Sequence, residues 1–139
     1  MIILPVQDNI GLAVFMLVLT PIVFTSFILC AFRSPGYLEP VHDFLELLSK
    51  VHPSEMCPEC KVLRTPRSRH CTICNRCIER FDHHCPWMNN CIGVGNNNAF
   101  LTFLFSLSTS QLTAIGSSIY SAISPCNLEA GECPLDVLC

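Results

Sequence analysis

The chain has 139 residues, 11 of them cysteine; 50% are hydrophobic and only 14% are charged. This composition excludes a disordered chain, which would be polar and highly charged. The net charge of −3 leaves no basic surplus for a nucleic-acid partner. The cysteine content approaches that of a small secreted disulfide scaffold, so the thiols stand for disulfides, metal or chemistry.

Residues 1–9 contain no Lys or Arg, and from Ile10 to Phe32 there is no Asp, Glu, Lys, Arg or His. A helix over that stretch spans roughly 34 Å, enough for the ~30 Å hydrocarbon core of a bilayer. Gly11 and Pro21 fall inside it, and membrane helices tolerate both. A soluble helix of this length shows a polar face and a signal peptide starts with basic residues; the sequence has neither. Residues 10–32 are therefore predicted to span a membrane. Ser34-Pro35-Gly36 then marks a turn. In the linker 33–56, Phe44, Leu47, Leu48 and Val51 recur at helical spacing, predicting a short helix over 43–51.

The segment 99–123 is a second uncharged stretch, broken by Ser106, Thr109, Thr113, Ser117 and other small polar residues. Ser and Thr bond back to their own helix and favour helix–helix contact, so this is predicted to be a span that packs on other spans. All eight basic residues lie between the two stretches, from Arg33 to Arg80, and the tails carry only acids. The positive-inside rule puts the middle loop in the cytosol, with residues 1–9 and 124–139 as lumenal tails. The expected fold is a mainly α membrane protein, two transmembrane helices flanking a cytosolic cysteine-rich domain at 57–98. The cytosol is reducing, which favours metal or catalysis over disulfides for the loop thiols. No internal repeat or low-complexity tract is expected. Cys30, near the cytosolic end of the first span, reads as a packing residue. His42 and His52 read as solvated or interfacial.

Residues 57–91 hold ten candidate ligands: Cys57, Cys60, His70, Cys71, Cys74, Cys77, His83, His84, Cys85 and Cys91. So short a stretch cannot bury enough apolar surface to fold without a staple. Its repeated C-x2-C spacing is that of zinc knuckles. Two closed tetrahedral sites take eight ligands and leave two. One Cys and one His left over would make the pair that nucleophilic catalysis needs. His70 and Cys71 are adjacent, so their side chains diverge and serve different metals. An extended backbone puts His83 and Cys85 on one face and His84 on the other. Asp82 is placed to orient His83. On spacing alone, the alternative that all ten are ligands or core residues stays open.

Cys57 to Asn96 resembles the Asp-His-His-Cys (DHHC) family of protein S-acyltransferases, the palmitoyltransferases. The pattern is Cys57-x2-Cys60-x9-His70-Cys71-x2-Cys74-x2-Cys77-x4-Asp82-His83-His84-Cys85-Pro86-Trp87-x2-Asn90-Cys91-x-Gly93-x2-Asn96. Ser34-Pro35-Gly36 resembles the family's Asp-Pro-Gly motif, with Ser in place of Asp. The resemblance implies two structural zinc ions, one on Cys57, Cys60, His70 and Cys77, the other on Cys71, Cys74, His84 and Cys91. It implies Cys85 as the acyl-accepting nucleophile, His83 as its base and Asp82 as the orienting acid. It further implies palmitoyl-CoA or another long-chain acyl-CoA as substrate, an acyl-Cys85 intermediate, and partner proteins with cytosolic cysteines. The bilayer would hold the acyl tail, and the family's usual address is Golgi or endoplasmic reticulum.

Trp87, beside the nucleophile, fits either interface depth or the core of the zinc domain. Phe100, Phe103 and Phe105 face either lipid or an acyl cavity. The family usually has four membrane helices and a Thr-Thr-x-Glu motif; here two spans are found and 124–139 resembles nothing in it. The expectation from this departure is a truncated form, for which the alternative function is an inactive zinc-stabilised membrane adaptor. Cys126, Cys133 and Cys139 would then be lumenal.

Overall fold

A computed structural model describes residues 10–123. The uncharged stretch Ile10–Phe32 is one helix, α1. Phe44–Leu48 forms a single turn, α2, and Asn97–Ile123 forms α3, which starts on two asparagines ahead of the apolar run. Helices α1 and α3 are both long and apolar enough to cross a membrane, and only 6% of each apolar window is buried. A core helix of a soluble protein would instead bury most of one face.

The chain divides into two compact units. One consists, in its described part, of helical residues 10–23 and 104–123. There the hydroxyls of Thr20, Thr109, Thr113 and Ser118 donate to the carbonyls four residues earlier, at 2.7–2.8 Å. This back-bonding satisfies the hydroxyls without water and lets a Ser/Thr-rich helix keep an apolar environment.

The other unit is Phe24–Phe103. Its centre is three antiparallel hairpins: β1 (Met56–Cys57) with β2 (Val62–Leu63), β3 (Arg69–Cys71) with β4 (Arg76–Ile78), and β5 (His83–Cys85) with β6 (Asn90–Ile92). The mainly α expectation is thus joined by sheet, three short hairpins confined to the cysteine-rich region. Strands of two or three residues are too short to show an alternating pattern, so the sequence hides them.

The absence of an internal repeat is corrected as well. Cys57 pairs with Val62, Cys71 with Arg76 and Cys85 with Asn90, so one register recurs every fourteen residues. His70↔Cys77 and His84↔Cys91 are related by the same shift. Each turn places a non-glycine residue in the left-handed region at the equivalent position, Lys61 (φ 55°), Asn75 (φ 51°) and Asn89 (φ 47°). The period escapes a count of ligands because Met88 stands where Cys60 and Cys74 precede it, and Leu63 where Cys77 and Cys91 follow.

The linker after α1 closes over the hairpins. Gly36 turns with φ 98°, and its N–H donates to the Ser34 hydroxyl at 3.3 Å. Serine thus makes the short side-chain-to-backbone turn that an aspartate at this position would make. Leu38 N donates to Cys77 O and Glu79 N to Gly36 O, so the linker lies along β4 and covers its edge. Arg76 sits over the Tyr37 ring, 4.7 Å from its centroid. Gly93 meets the same linker: a Cβ there would lie 2.5 Å from both Pro35 O and Ile78 Cγ2, so only glycine fits. The helix expected over 43–51 is shorter than its pattern. Pro53 disfavours helical geometry at His52, and His52 caps a separate 3₁₀ turn, Pro53–Glu55, by accepting from Ser54 N. His42 and His52 are both exposed.

Candidate functional site

The hairpin register assembles two clusters of four ligand atoms. Cys57 and Cys60 come from the first turn and meet the cross-strand pair His70↔Cys77 of the second hairpin. Cys71 and Cys74 come from the second turn and meet the pair His84↔Cys91 of the third. Each of the first two hairpins therefore offers its turn to the next hairpin's strands. His70 and Cys71 diverge because they are neighbours on β3, as strand alternation requires.

In the first cluster His70 Nδ1 lies 3.7, 3.2 and 3.9 Å from the sulfurs of Cys57, Cys60 and Cys77. In the second, His84 Nδ1 lies 3.8, 3.4 and 3.5 Å from those of Cys71, Cys74 and Cys91. Ligands held at ~2.1–2.3 Å around a tetrahedral zinc stand about 3.5–3.8 Å apart, so both clusters have the dimensions of a closed zinc site. The electrostatics agree. Burial, then the neighbouring Cys57 and Cys60 thiols, push the Cys77 thiol far up; burial with Cys74 and Cys71 does the same to Cys91. Burial also opposes ionisation of Cys57, but the amides of Cys60 and Glu59, the Cys77 thiol and Arg64 outweigh it and bring that thiol down. Three thiolates so close together need a cation to ionise together. Two clusters of three Cys and one His are compatible with two zinc sites.

Glu59 was not picked out by the sequence. Its Oε2 lies 2.8 Å from His70 Nε2. The ring can donate from Nε2 to this carboxylate while Nδ1 faces the sulfurs, the arrangement that orients metal-bound imidazoles. Glu59→Gln is expected to weaken zinc retention at the first cluster roughly 10–100-fold, read by competition with a chromogenic chelator.

The two residues left over lie on the other face of β5. His84 points into the second cluster, while His83 and Cys85 bracket it at strand spacing. Cys85 is 5% exposed and packs in an apolar cluster with Cys30, Met88 and Ile92, lined by Ala99, Phe100 and Phe103. His83 stands edge-on to Phe100, centroids 5.2 Å apart, and its Nδ1 lies 3.3 Å from Asp82 Oδ2. Among the described residues no hydrogen bond joins His83 to Cys85; such bonds often tighten only when substrate is bound. The eight cysteines of the described residues are all free thiols.

Phe100 and Phe103 thus border the free thiol, and Phe103 also meets Phe27 at 5.7 Å. Phe105 belongs to the other unit and is 77% exposed. Trp87 is 87% exposed, which removes the core reading of that residue. Cys126, Cys133 and Cys139 lie outside the described residues.

The model of the DHHC palmitoyltransferase family matches residues 50–136, a range that runs into the segment set apart above as unlike the family. Among curated relatives, palmitoyltransferase ZDHHC4 of Bos taurus is 40% identical over 68% of this chain and 29% of its own length. Palmitoyltransferase akr1 of Schizosaccharomyces pombe is 43% identical over 57% of this chain and 14% of its own. Palmitoyltransferase SWF1 of Kluyveromyces lactis is 56% identical over 40% and 17%. The chain therefore spans less than a third of the length of these relatives.

Proposed function

The chain belongs to the DHHC palmitoyltransferase family, and on that premise we propose that it is a membrane-integral protein S-acyltransferase working through an acyl-Cys85 intermediate. The observation that carries this reading is the division of the cysteine-rich loop. Eight residues fill two closed ligand sets, and Cys85 is left as a free thiol beside His83 and two phenylalanines.

The chemistry is a pair of thioester exchanges. His83 takes the Cys85 proton while Asp82 steadies the imidazolium. The Cys85 sulfur attacks the thioester carbon of a long-chain acyl-CoA, the bond from that carbon to the CoA sulfur breaks, and CoA leaves with the proton from His83. A cysteine of a protein substrate then gives its proton to His83 and attacks acyl-Cys85, and Cys85 recovers a proton as it departs. Each half exchanges one thioester for another, so neither needs an external energy source. Phe100 and Phe103 offer an apolar wall to the first carbons of the chain. Exposed Trp87, at interface depth, marks the level at which the thioester is presented. Zinc held by the two ligand sets would staple the hairpins. With four protein ligands apiece, those sites leave no open position for substrate.

The loop is read as cytosolic, from the basic residues it holds, which puts acyl-CoA and acceptor cysteines on its side of the membrane. His83→Ala is expected to slow single-turnover CoA release from palmitoyl-CoA by about 10²–10⁴-fold with zinc content unchanged. An unchanged rate would contradict the assignment of His83.

A further inference from the structure

The fourteen-residue repeat poses a question about its third member. The first two turns, at Cys57/Cys60 and Cys71/Cys74, each face a His/Cys pair from the next hairpin. The third turn has Cys85 and Met88 at the same positions, and α3 follows it in place of a fourth hairpin. It has neither the second thiol nor the pair that would hold a metal. A free nucleophile requires this, but the third turn then lacks the staple that fixes the other two.

A different staple occupies the place. Asn90 is the cross-strand partner of Cys85, the position held by Val62 and Arg76 in the other hairpins. Its Nδ2 lies 3.1, 3.2 and 2.9 Å from the carbonyls of Cys30, Ala31 and Arg33, and its Oδ1 accepts from Cys91 N at 2.9 Å. The carbonyls of Cys30 and Ala31 belong to the last turn of α1, where no helical donor follows to satisfy them, and that of Arg33 comes just after it. Asn96 adds to the joint: its Nδ2 donates to Cys30 O at 3.2 Å and Cys91 O at 2.8 Å, and its Oδ1 accepts from Gly93 N at 3.0 Å. Both asparagines are buried, at 8% and 1% exposed, so little water competes for these groups.

We propose that Asn90 is a positioning residue for the acyl-transfer reaction, tying the strand opposite Cys85 to the end of α1 and so taking the part that metal plays in the other two hairpins. The tie fixes the depth of the thiol relative to the membrane helix, where the thioester of a lipid-anchored acyl chain must meet it. This rests on Cys85 being the nucleophile, and the test separates the two ideas.

The full chain in lipid nanodiscs would be compared with Asn90→Ala and with isosteric Asn90→Asp, which keeps an acceptor for Cys91 N but sets an oxygen against three carbonyls. The maximal rate of CoA release from palmitoyl-CoA is expected to fall at least about tenfold in both. The half-saturating concentration should stay within about threefold and zinc at two per chain. In parallel, alkylation of Cys85 by N-ethylmaleimide should speed up at least about fivefold, because the thiol is no longer held in its buried cluster. Wild-type acylation and alkylation rates in both variants would overturn the proposal. Loss of activity only together with zinc would also overturn it, by making Asn90 a folding residue. A wild-type chain inert to palmitoyl-CoA would overturn the acyltransferase reading alone, and the alkylation arm would still decide for or against the tie.

Discussion

Cys85→Ser is expected to abolish hydroxylamine-sensitive autoacylation by a clickable palmitate analogue, a loss of at least about a thousandfold, while zinc stays at two per chain. A hydroxyl in the same cluster is nearly isosteric, but without a low-pKa proton it is a poor nucleophile toward a thioester at neutral pH. The zinc measurement gives the prediction its force. Cys85 lies on the face of β5 away from His84 and packs with Cys30, Met88 and Ile92. Its sulfur therefore serves no ligand set, and its removal should leave both intact. Retained acylation in Cys85→Ser, with a zinc lost, would show that the thiol had been assigned to the wrong role.

His84→Ala, one residue away, is expected to fail in the opposite sense. His84 Nδ1 is the common neighbour of three sulfurs in the second cluster. Without it the site loses a quarter of its ligands, and the β5–β6 hairpin keeps only Cys91 to hold the β3–β4 turn. Structural zinc in small domains contributes about 10–16 kcal/mol of apparent binding free energy, comparable to or larger than the ~5–15 kcal/mol net stability of a whole domain. Zinc should fall from two per chain to one or fewer, and Cys71, Cys74 and Cys91 should become rapidly alkylatable. Acylation should be lost as well, because the strand that carries Cys85 is no longer fixed. Zinc counting with thiol alkylation checks this, and full zinc occupancy in His84→Ala would contradict the ligand set. The two adjacent substitutions thus share a loss of activity and differ in metal.

What could be read from the sequence follows from how local each feature is. The apolar stretch that becomes α1 is contiguous and ends at a turn signal, so its limits are visible in the residue order. The ligands are visible because C-x2-C spacing is short and recurs within a stretch too small to fold without a staple. Alternation along β3 and β5 separates His70 from Cys71 and His84 from His83 and Cys85, while the cluster that each histidine joins was legible only through the family resemblance. The hairpins themselves were hidden, since Met56–Cys57 or Val62–Leu63 is too brief to carry a periodic signal. The roles of Asn90 and Asn96 were hidden for a different reason. Their partners are backbone carbonyls of Cys30, Ala31 and Arg33, and a backbone carbonyl leaves no mark in a sequence. Glu59 carries no signal in the sequence, because an exposed acid near cysteines is ordinary and only its 2.8 Å approach to His70 sets it apart.

The central claim is that one cysteine of the loop carries the acyl group while the other six hold metal. The most direct test is to expose the zinc-loaded chain in nanodiscs to palmitoyl-CoA, count its zinc, and map the thioester by peptide mass spectrometry before and after hydroxylamine. The expected result is a hydroxylamine-labile acyl group on Cys85 with two zinc ions retained. An acyl group on any of Cys57, Cys60, Cys71, Cys74, Cys77 or Cys91, or a fully zinc-loaded chain that takes none, would contradict it.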